Sequence, residues 1–335
     1  MEKSNLEVLI TGGAGFIGYH LSNLLAGQGY NVTILSNLTR GKDDKEFKDL
    51  TKKPNVHFIN ADITKKENLE NLDKQFDFIY HLAAINGTRN FYDIPDKVLK
   101  VGIIGMFNIL DFFVKQKKGK LLFSSSSETY AGSLKLLGKN FPIPTPEEIP
   151  LVIDDPSNVR WSYGASKMLS EVAIHSYSKV FDTNKFCIVR YHNIYGPRMG
   201  HDHVIPQVIE RIINKENPFK IFGAHETRTF CYIDDAVFAT QLVMESRETD
   251  GKTINIGRGD EEIRISDLAE KLFNIADYHP DIKHQPSPEG SVSRRCPDIS
   301  KLMQLGFNPK VSLDIGLELT YNHYFNILSG KEKSE

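Results

Sequence analysis

A chain of 335 residues, 40% apolar and 25% charged, has the balance of a globular protein and the length for one large core or two modest ones. Its formal charge of −2 carries no basic excess, which argues against nucleic acid as a partner. Three separated cysteines, Cys187, Cys231 and Cys296, form no CxxC pair and have no histidine at zinc-ligand spacing, so no disulfide framework and no metal are expected, and a cytoplasmic location is.

The polar residues Met1–Asn5 show no signal-peptide pattern and lead straight into an apolar strand, Leu6–Ile10. That strand enters Thr11-Gly12-Gly13-Ala14-Gly15-Phe16-Ile17-Gly18, and a helix is predicted over Gly15–Gln28. Between strand and helix, Gly12 permits a tight turn and Gly15 lets the backbone approach a pyrophosphate. Gly18 lets the helix lie close to the strand, and the helix start offers unpaired N–H groups to phosphates.

A second strand, Val32–Leu35, ends at Ser36-Asn37, where dinucleotide-binding folds usually place a carboxylate for the adenosine ribose. Its absence, with Arg40 and Lys42 close by, suits a 2′-phosphate, although such cations are also ordinary solvated loop charges. NAD is expected and NADP stays open. Strand Val56–Ile59 is followed by Asp62-Ile63, with Asp62 placed to accept from the adenine amino group, and a helix is predicted over Lys66–Lys74. Strand Phe78–Leu82 ends in His81-Leu82-Ala83-Ala84, small residues that leave room for the cofactor's ribose and nicotinamide. The helix predicted over Asp96–Lys117 contains an apolar run, Val101–Val114, that is too short and too polar to span a membrane.

Strand Lys120–Ser124 leads into Ser124-Ser125-Ser126-Ser127-Glu128-Thr129-Tyr130. Serines leaving a buried strand are poor core material and good hydrogen-bonding groups. Glu128 reads as a base for a later chemical step or as a solvated loop acid. The helix predicted over Trp161–Phe181 carries Tyr163-Gly164-Ala165-Ser166-Lys167, whose i, i+4 spacing puts Tyr163 and Lys167 on one face. A phenol with a pKa near ~10 is a poor base at neutral pH. A neighbouring ammonium and a cationic nicotinamide are expected to lower it, so that Tyr163 takes a hydroxyl proton as hydride leaves the adjacent carbon. Such a pair alone is often only a surface feature; a serine at the end of the preceding strand makes a Ser–Tyr–Lys constellation.

After strand Phe186–Arg190 and about Tyr195 the rhythm changes, with smaller helices predicted over Val204–Asn214, Asp234–Ser246, Ser266–Ala276 and Ser312–Ile327. The expected fold is α/β, a doubly wound parallel sheet with a smaller C-terminal α/β lobe. The expected division is a dinucleotide-binding domain over 1–194, a substrate lobe over 195–330 interleaved with it, and a tail over 331–335.

In their order along nearly the whole chain, GGAGFIG, Asp62-Ile63, HLAA, SSSSETY and YGASK resemble the extended short-chain dehydrogenase/reductase family, in particular its nucleotide-sugar epimerases, dehydratases and decarboxylases. The segments Arg190–Arg198, Arg228–Ala236 and Arg294–Asp298 are similar to further family motifs. The resemblance implies a Ser126/Tyr163/Lys167 catalytic set with Glu128 as an added acid–base group. It implies a cofactor site at Gly12, Gly15, Phe16, Ile17, Gly18, Asn37, Arg40, Asp62, Ile63, Leu82, Ala83 and Ala84, completed by Tyr163 and Lys167. It places Ser127, Asn193, Arg228 and Arg295 on a nucleotide-diphosphate sugar, the arginines neutralising the diphosphate, which planar guanidiniums do well. A homodimer paired through two long helices is also implied. The Ser127-Glu128 pair and the RRxPD segment lean toward a nucleoside-diphosphate uronate decarboxylase acting through a 4-keto sugar. A 4,6-dehydratase, a 4-epimerase or a C4 dehydrogenase stays open, with a non-sugar carbonyl reductase or an idle sensor more remote.

Overall fold

The structure is a computed structural model and describes residues 3–287 and 292–330; the expected tail over 331–335 lies outside the described residues. The chain divides into two compact units. The first comprises residues 1–140, 148–191 and 237–254, and the second comprises 141–147, 192–236 and 255–335.

In the first unit, β1 (Glu7–Thr11), β2 (Asn31–Ser36), β3 (Val56–Asn60), β4 (Phe78–His81), β5 (Lys120–Ser126) and β6 (Phe186–Tyr191) pair in parallel. The strand order is β6-β5-β4-β1-β2-β3, with a seventh strand, Lys252–Ile256, beyond β6. Except for the edge strand β3, the strands are short β-branched and apolar runs buried on both faces, as a sheet covered by helices requires. Chain order reverses between β1 and β4, which opens a crevice at the carboxyl ends of those strands.

The flanking helices are α1 (Phe16–Gly27), α2 (Lys45–Thr51), α3 (Glu67–Glu70), α4 (Thr88–Asp93), α5 (Pro95–Gln116), α6 (Ala131–Leu137) and α7 (Trp161–Val180). On one sheet face, Leu9, Ile79, Leu121 and Ile188 meet Met106 and Ile109 of α5 and Ile174 of α7. Ile109 has no exposed surface, and cutting it to alanine there would cost about 2–5 kcal/mol through lost burial and the cavity left behind.

Helices α2 and α3 are among the elements that depart from the sequence reading. The helix expected over Lys66–Lys74 shrinks to α3, which ends at Glu70 and buries only Leu69, too little apolar surface to hold a longer helix. Helix α2 appears where none was expected, started by Asp44, whose carboxylate accepts from Phe47 N at 2.9 Å.

The second unit has helices Val204–Ile213, Ile265–Ile275 and Leu313–Leu328 packed on one another. A small sheet beside them orders Glu262–Arg264, Thr227–Thr229 and Arg294–Arg295. Among the described residues, no helix is long and apolar enough to cross a membrane.

Candidate active site

The glycine turn after β1 has the shape its spacing implies. Gly12 holds φ +73°, and a Cβ there would come within 2.8 Å of Ala83 N, so the β1 and β4 ends can approach only through glycine. A Cβ on Gly18 would overlap the Gly12 carbonyl oxygen. Gly15 differs, because a Cβ there would meet only Gly12 O, at 3.1 Å, and would otherwise project into the open cradle. Gly15 is the N-cap residue of α1 and supplies no capping side chain, so the N–H groups of the first turn, which begins with Phe16 and Ile17, face that cradle. This arrangement fits a dinucleotide's pyrophosphate.

The neighbouring strand ends border the same crevice. After β2, Ser36 Oγ accepts from Leu38 N and Asn37 Oδ1 accepts from Thr39 N, which folds the loop back on itself. The loop closes on the glycine turn, with Lys42 N donating to Ala14 O at 3.3 Å, and this brings the Arg40 segment to the crevice. After β3, Asp62 Oδ1 accepts from Thr64 N at 2.9 Å and Thr64 Oγ1 at 2.8 Å. Ile63 turns its side chain into the core, so only its backbone can face a ligand. After β4, Leu82 N donates to Thr11 O, and Leu82, Ala83 and Ala84 stay partly exposed at the crevice. His81 is buried against Thr11 Oγ1 and Phe123, and burial drives its pKa down to about 3, so the ring is neutral.

At the end of β5, Ser126 accepts from Glu128 N at 3.2 Å and its side chain hydrogen-bonds Tyr163. Tyr163 is buried and stacks on Phe91, with ring centres 4.9 Å apart. Lys167, also buried, donates to Ser124 O at 2.6 Å, and its Nζ lies 5.5 Å from the Tyr163 ring centre. Ser126, Tyr163 and Lys167 therefore meet, as their spacing implies, on the face of α7 toward the β5 end.

The electrostatics differ from the sequence expectation. Burial pushes the Tyr163 phenol well up; the Ser126 hydrogen bond opposes that rise, and the Glu128 carboxylate adds to it. Burial also pulls Lys167 down to about 7, with the Glu171 carboxylate opposing it. Among the chain's own groups, desolvation outweighs a lysine that bonds a backbone carbonyl instead of the phenol; the cationic nicotinamide of the expectation is not part of that balance.

Sequence reasoning missed Arg160, the residue just before α7. Its Nη2 stands 3.3 Å from Glu128 Oε2, and both side chains are about one-fifth exposed. It also missed the buried ion pair behind the site. Arg190 donates to both Glu171 oxygens, at 3.0 and 2.6 Å, and to Tyr130 Oη at 2.8 Å, while Ser125 Oγ donates to Glu171 at 2.5 Å. The i, i+4 step from Lys167 to Glu171 was the only sequence signal for it. Ser127 is buried at the same turn.

In the second unit, Arg228 and Arg295 are register neighbours on the small sheet. Asn193 sits at φ +45° and donates through Nδ2 to Thr229 O at 2.9 Å, next to Arg228 in sequence. Arg228 is already engaged, with Nη2 2.7 Å from Glu226 Oε2. Among the described residues, no cluster of three or more His, Cys, Asp or Glu side chains could hold a metal.

The chain matches the model of the NAD dependent epimerase/dehydratase family over residues 8–257. It is 35% identical to a UDP-N-acetyl-alpha-D-glucosaminuronate decarboxylase of Bacillus cytotoxicus, over 95% of this chain and 98% of that one. It resembles the crystal structure of a UDP-glucose 4-epimerase of Thermotoga maritima with UDP-glucose, at TM-score 0.83 and 31% identity, covering 96% of this chain and 100% of that one. A UDP-glucuronic acid 4-epimerase of Bacillus cereus, solved with UDP-glucuronic acid and NAD, is similar at TM-score 0.83 and 28% identity, with the same coverage.

Proposed function

The chain belongs to the NAD dependent epimerase/dehydratase family and is an NAD-dependent nucleotide-sugar enzyme, and on that footing we propose that it decarboxylates a nucleoside-diphosphate uronic acid through a 4-keto sugar. The observation that carries this reading is Glu128. Its carboxylate stands at the β5 end, close enough to Tyr163 to act on its ionisation, where C4 redox chemistry alone needs only Ser126, Tyr163 and Lys167. The first relative above, itself a uronate decarboxylase, supports it.

The N–H groups after Gly15, Asp62 and Asn37 at the β3 and β2 ends, and Ala83 and Ala84 at the β4 end are the groups that would hold the cofactor. Once bound, the dinucleotide supplies a hydride acceptor and donor at C4 and a positive charge in its oxidised form. Tyr163 takes the C4 hydroxyl proton, and Ser126 fixes the shared oxygen. Lys167 stabilises the phenolate against the burial that resists it. With C4 a ketone, the C5–C6 bond can break: its electron pair moves onto the C4 carbonyl and carbon dioxide leaves. Glu128 then handles the proton that C5 takes up. At the end of the cycle Tyr163 gives its proton back to the C4 oxygen, and with the hydride that the dinucleotide would return the reaction would be redox-neutral. In the first unit Ser127 is kept for the sugar; in the second unit Asn193, Arg228 and Arg295 carry amide and guanidinium groups suited to a diphosphate, with Arg228 exchanging Glu226 for phosphate oxygens.

The enzyme works as a homodimer in the cytoplasm. Ile104 and Phe107 on α5 and Leu169 and Val172 on α7 are exposed apolar side chains on two helices that pack together, a face suited to the same helices of a second copy. Three buried thiols suit a reducing compartment. The test is incubation with UDP-glucuronate, UDP-N-acetylglucosaminuronate and UDP-glucose with NAD, read by mass spectrometry. Loss of carbon dioxide from a uronate is expected. Loss of water, or isomerisation at unchanged mass, would replace this reading with a dehydratase or an epimerase.

A further inference from the structure

The last residues of β5 meet α7 one helical turn at a time. Ser126 hydrogen-bonds Tyr163, the Ser124 carbonyl accepts from Lys167, and Ser125 Oγ donates to Glu171 at 2.5 Å. Tyr163, Lys167 and Glu171 are spaced i, i+4, i+8, so they line one face of the helix. C4 oxidation as described uses the first two contacts. The third fastens a buried carboxylate that has no part in the proton transfer itself.

Glu171 is held from two strands. Arg190, the register partner of Ser125 on β6, donates to both carboxylate oxygens, at 3.0 and 2.6 Å, and through Nη1 to Tyr130 Oη at 2.8 Å. So engaged, Glu171 makes no ion pair with Lys167 among the described residues, and the ammonium keeps its bond to Ser124 O. The Glu171 charge still reaches Lys167 one turn away and favours the protonated form against burial. The other neighbours do not supply that charge. From β5 the Phe123 ring lies 4.8 Å from Lys167 Nζ, from β4 His81 is neutral, and α5 brings Val98 and Val101 beside Tyr163. Glu128 acts on the Tyr163 phenol. Burying two charges is also costly, and an apolar pair of similar volume would join the same elements.

Resting on the reading of Tyr163 and Lys167 as the C4 proton-transfer pair, we infer that Glu171 is a positioning residue for that step: anchored by Arg190 and Ser125, it keeps Lys167 an ammonium at Ser124 O, beside the phenol. It acts through Lys167, whether or not the 4-keto sugar then loses carbon dioxide.

Glu171→Gln alone would leave Arg190 buried without its counter-ion, so the test neutralises the pair together, as Glu171→Gln with Arg190→Met, which keeps an acceptor for Ser125. This variant is compared with Glu171→Asp, Lys167→Met and wild type. Chemical denaturation of the cofactor-free protein across pH is the first readout. Wild-type stability should rise from about pH 7, where folded Lys167 gives up a proton that the unfolded chain still holds. In the neutral-pair variant that rise should begin about one pH unit lower, and Glu171→Asp, with its charge kept, should bring it back toward wild type. The second readout is the single-turnover rate of NAD reduction across pH with UDP-glucuronate, or with UDP-glucose where the uronate gives none. The loss of rate at alkaline pH should move down in the neutral-pair variant. An equal stability loss at every pH, with the onset unmoved, would mean that the pair only ties β5 to α7 and would overturn the inference. An onset that Glu171→Asp does not restore, or one that moves while the rate profile stays, would overturn it as well. NAD reduction by Lys167→Met at the wild-type rate would instead sink the reading of Lys167 on which the inference rests.

Discussion

Lys167 reaches back to the carbonyl of Ser124 at 2.6 Å, so the last residues of β5 and the middle of α7 are joined by an ammonium that burial pulls down to about 7. In the unfolded chain a lysine titrates near ~10.4. Between those values the unfolded state binds more protons than the folded one, so this group makes stability rise as pH climbs from about 7. Below that pH both states are protonated, and the cost of burying the charge is borne in full.

Lys167→Met should therefore abolish turnover and change stability in a pH-dependent way. Relative to wild type, the variant should be most stable near pH 6 and should lose that advantage as pH rises through the window. Chemical denaturation of both proteins across that range measures it. A stability difference that stays flat with pH would contradict a depressed Lys167.

Gly15→Ala and Gly18→Ala should part company. The first has open space beyond Gly12 O, so it should melt within a few degrees of wild type yet bind NAD at least about tenfold more weakly, its methyl standing where the pyrophosphate approaches. The second drives a methyl into the Gly12 carbonyl oxygen and should lose about 1–3 kcal/mol of stability through overpacking. Thermal melts with NAD titration separate the two, and a Gly15→Ala variant that binds NAD normally would remove the cradle assignment.

Most of the frame was legible from sequence. β1 to β6 are short runs with turn residues after them, and for all but the edge strand β3 burial on both faces leaves little else such runs can be. The seventh strand, Lys252–Ile256, was missed because its lysine and asparagine dilute a five-residue signal. Helix α2 was missed because only Phe47 and Leu50 are buried, and its start depends on the Asp44 cap. The Ser126, Tyr163 and Lys167 set was readable because strand end and helix spacing are local patterns. How strongly burial opposes a phenolate at Tyr163 was not, since desolvation depends on Phe91 and other residues remote in sequence. Arg160 looked like any loop cation until the fold set it beside Glu128.

Phe107→Glu combined with Val172→Glu should yield a monomer. Both side chains are exposed apolar groups on α5 and α7, at 41% and 60%, and like charges brought together across a two-fold interface repel. Light scattering at micromolar concentration reads the mass; a wild type that is already monomeric would contradict the proposed pairing.

Tyr163→Phe keeps the ring on Phe91 and deletes the hydroxyl bonded to Ser126. Turnover should fall by about a hundredfold or more, the scale for losing a general base, with cofactor affinity little changed. Turnover within about threefold of wild type would take the base assignment away from Tyr163.

Single-turnover reaction of Glu128→Gln with UDP-glucuronate, following reduced nicotinamide by absorbance and carbon dioxide by mass, bears on the central claim. Glutamine keeps the size of Glu128 and removes its charge and basicity. The account predicts that the cofactor is still reduced at C4 oxidation, and that reduced cofactor and 4-keto sugar then accumulate while final product stalls. Completion of the cycle at the wild-type rate would show that the chemistry needs only Ser126, Tyr163 and Lys167, and the reading of Glu128 as the group that serves C5 would be wrong.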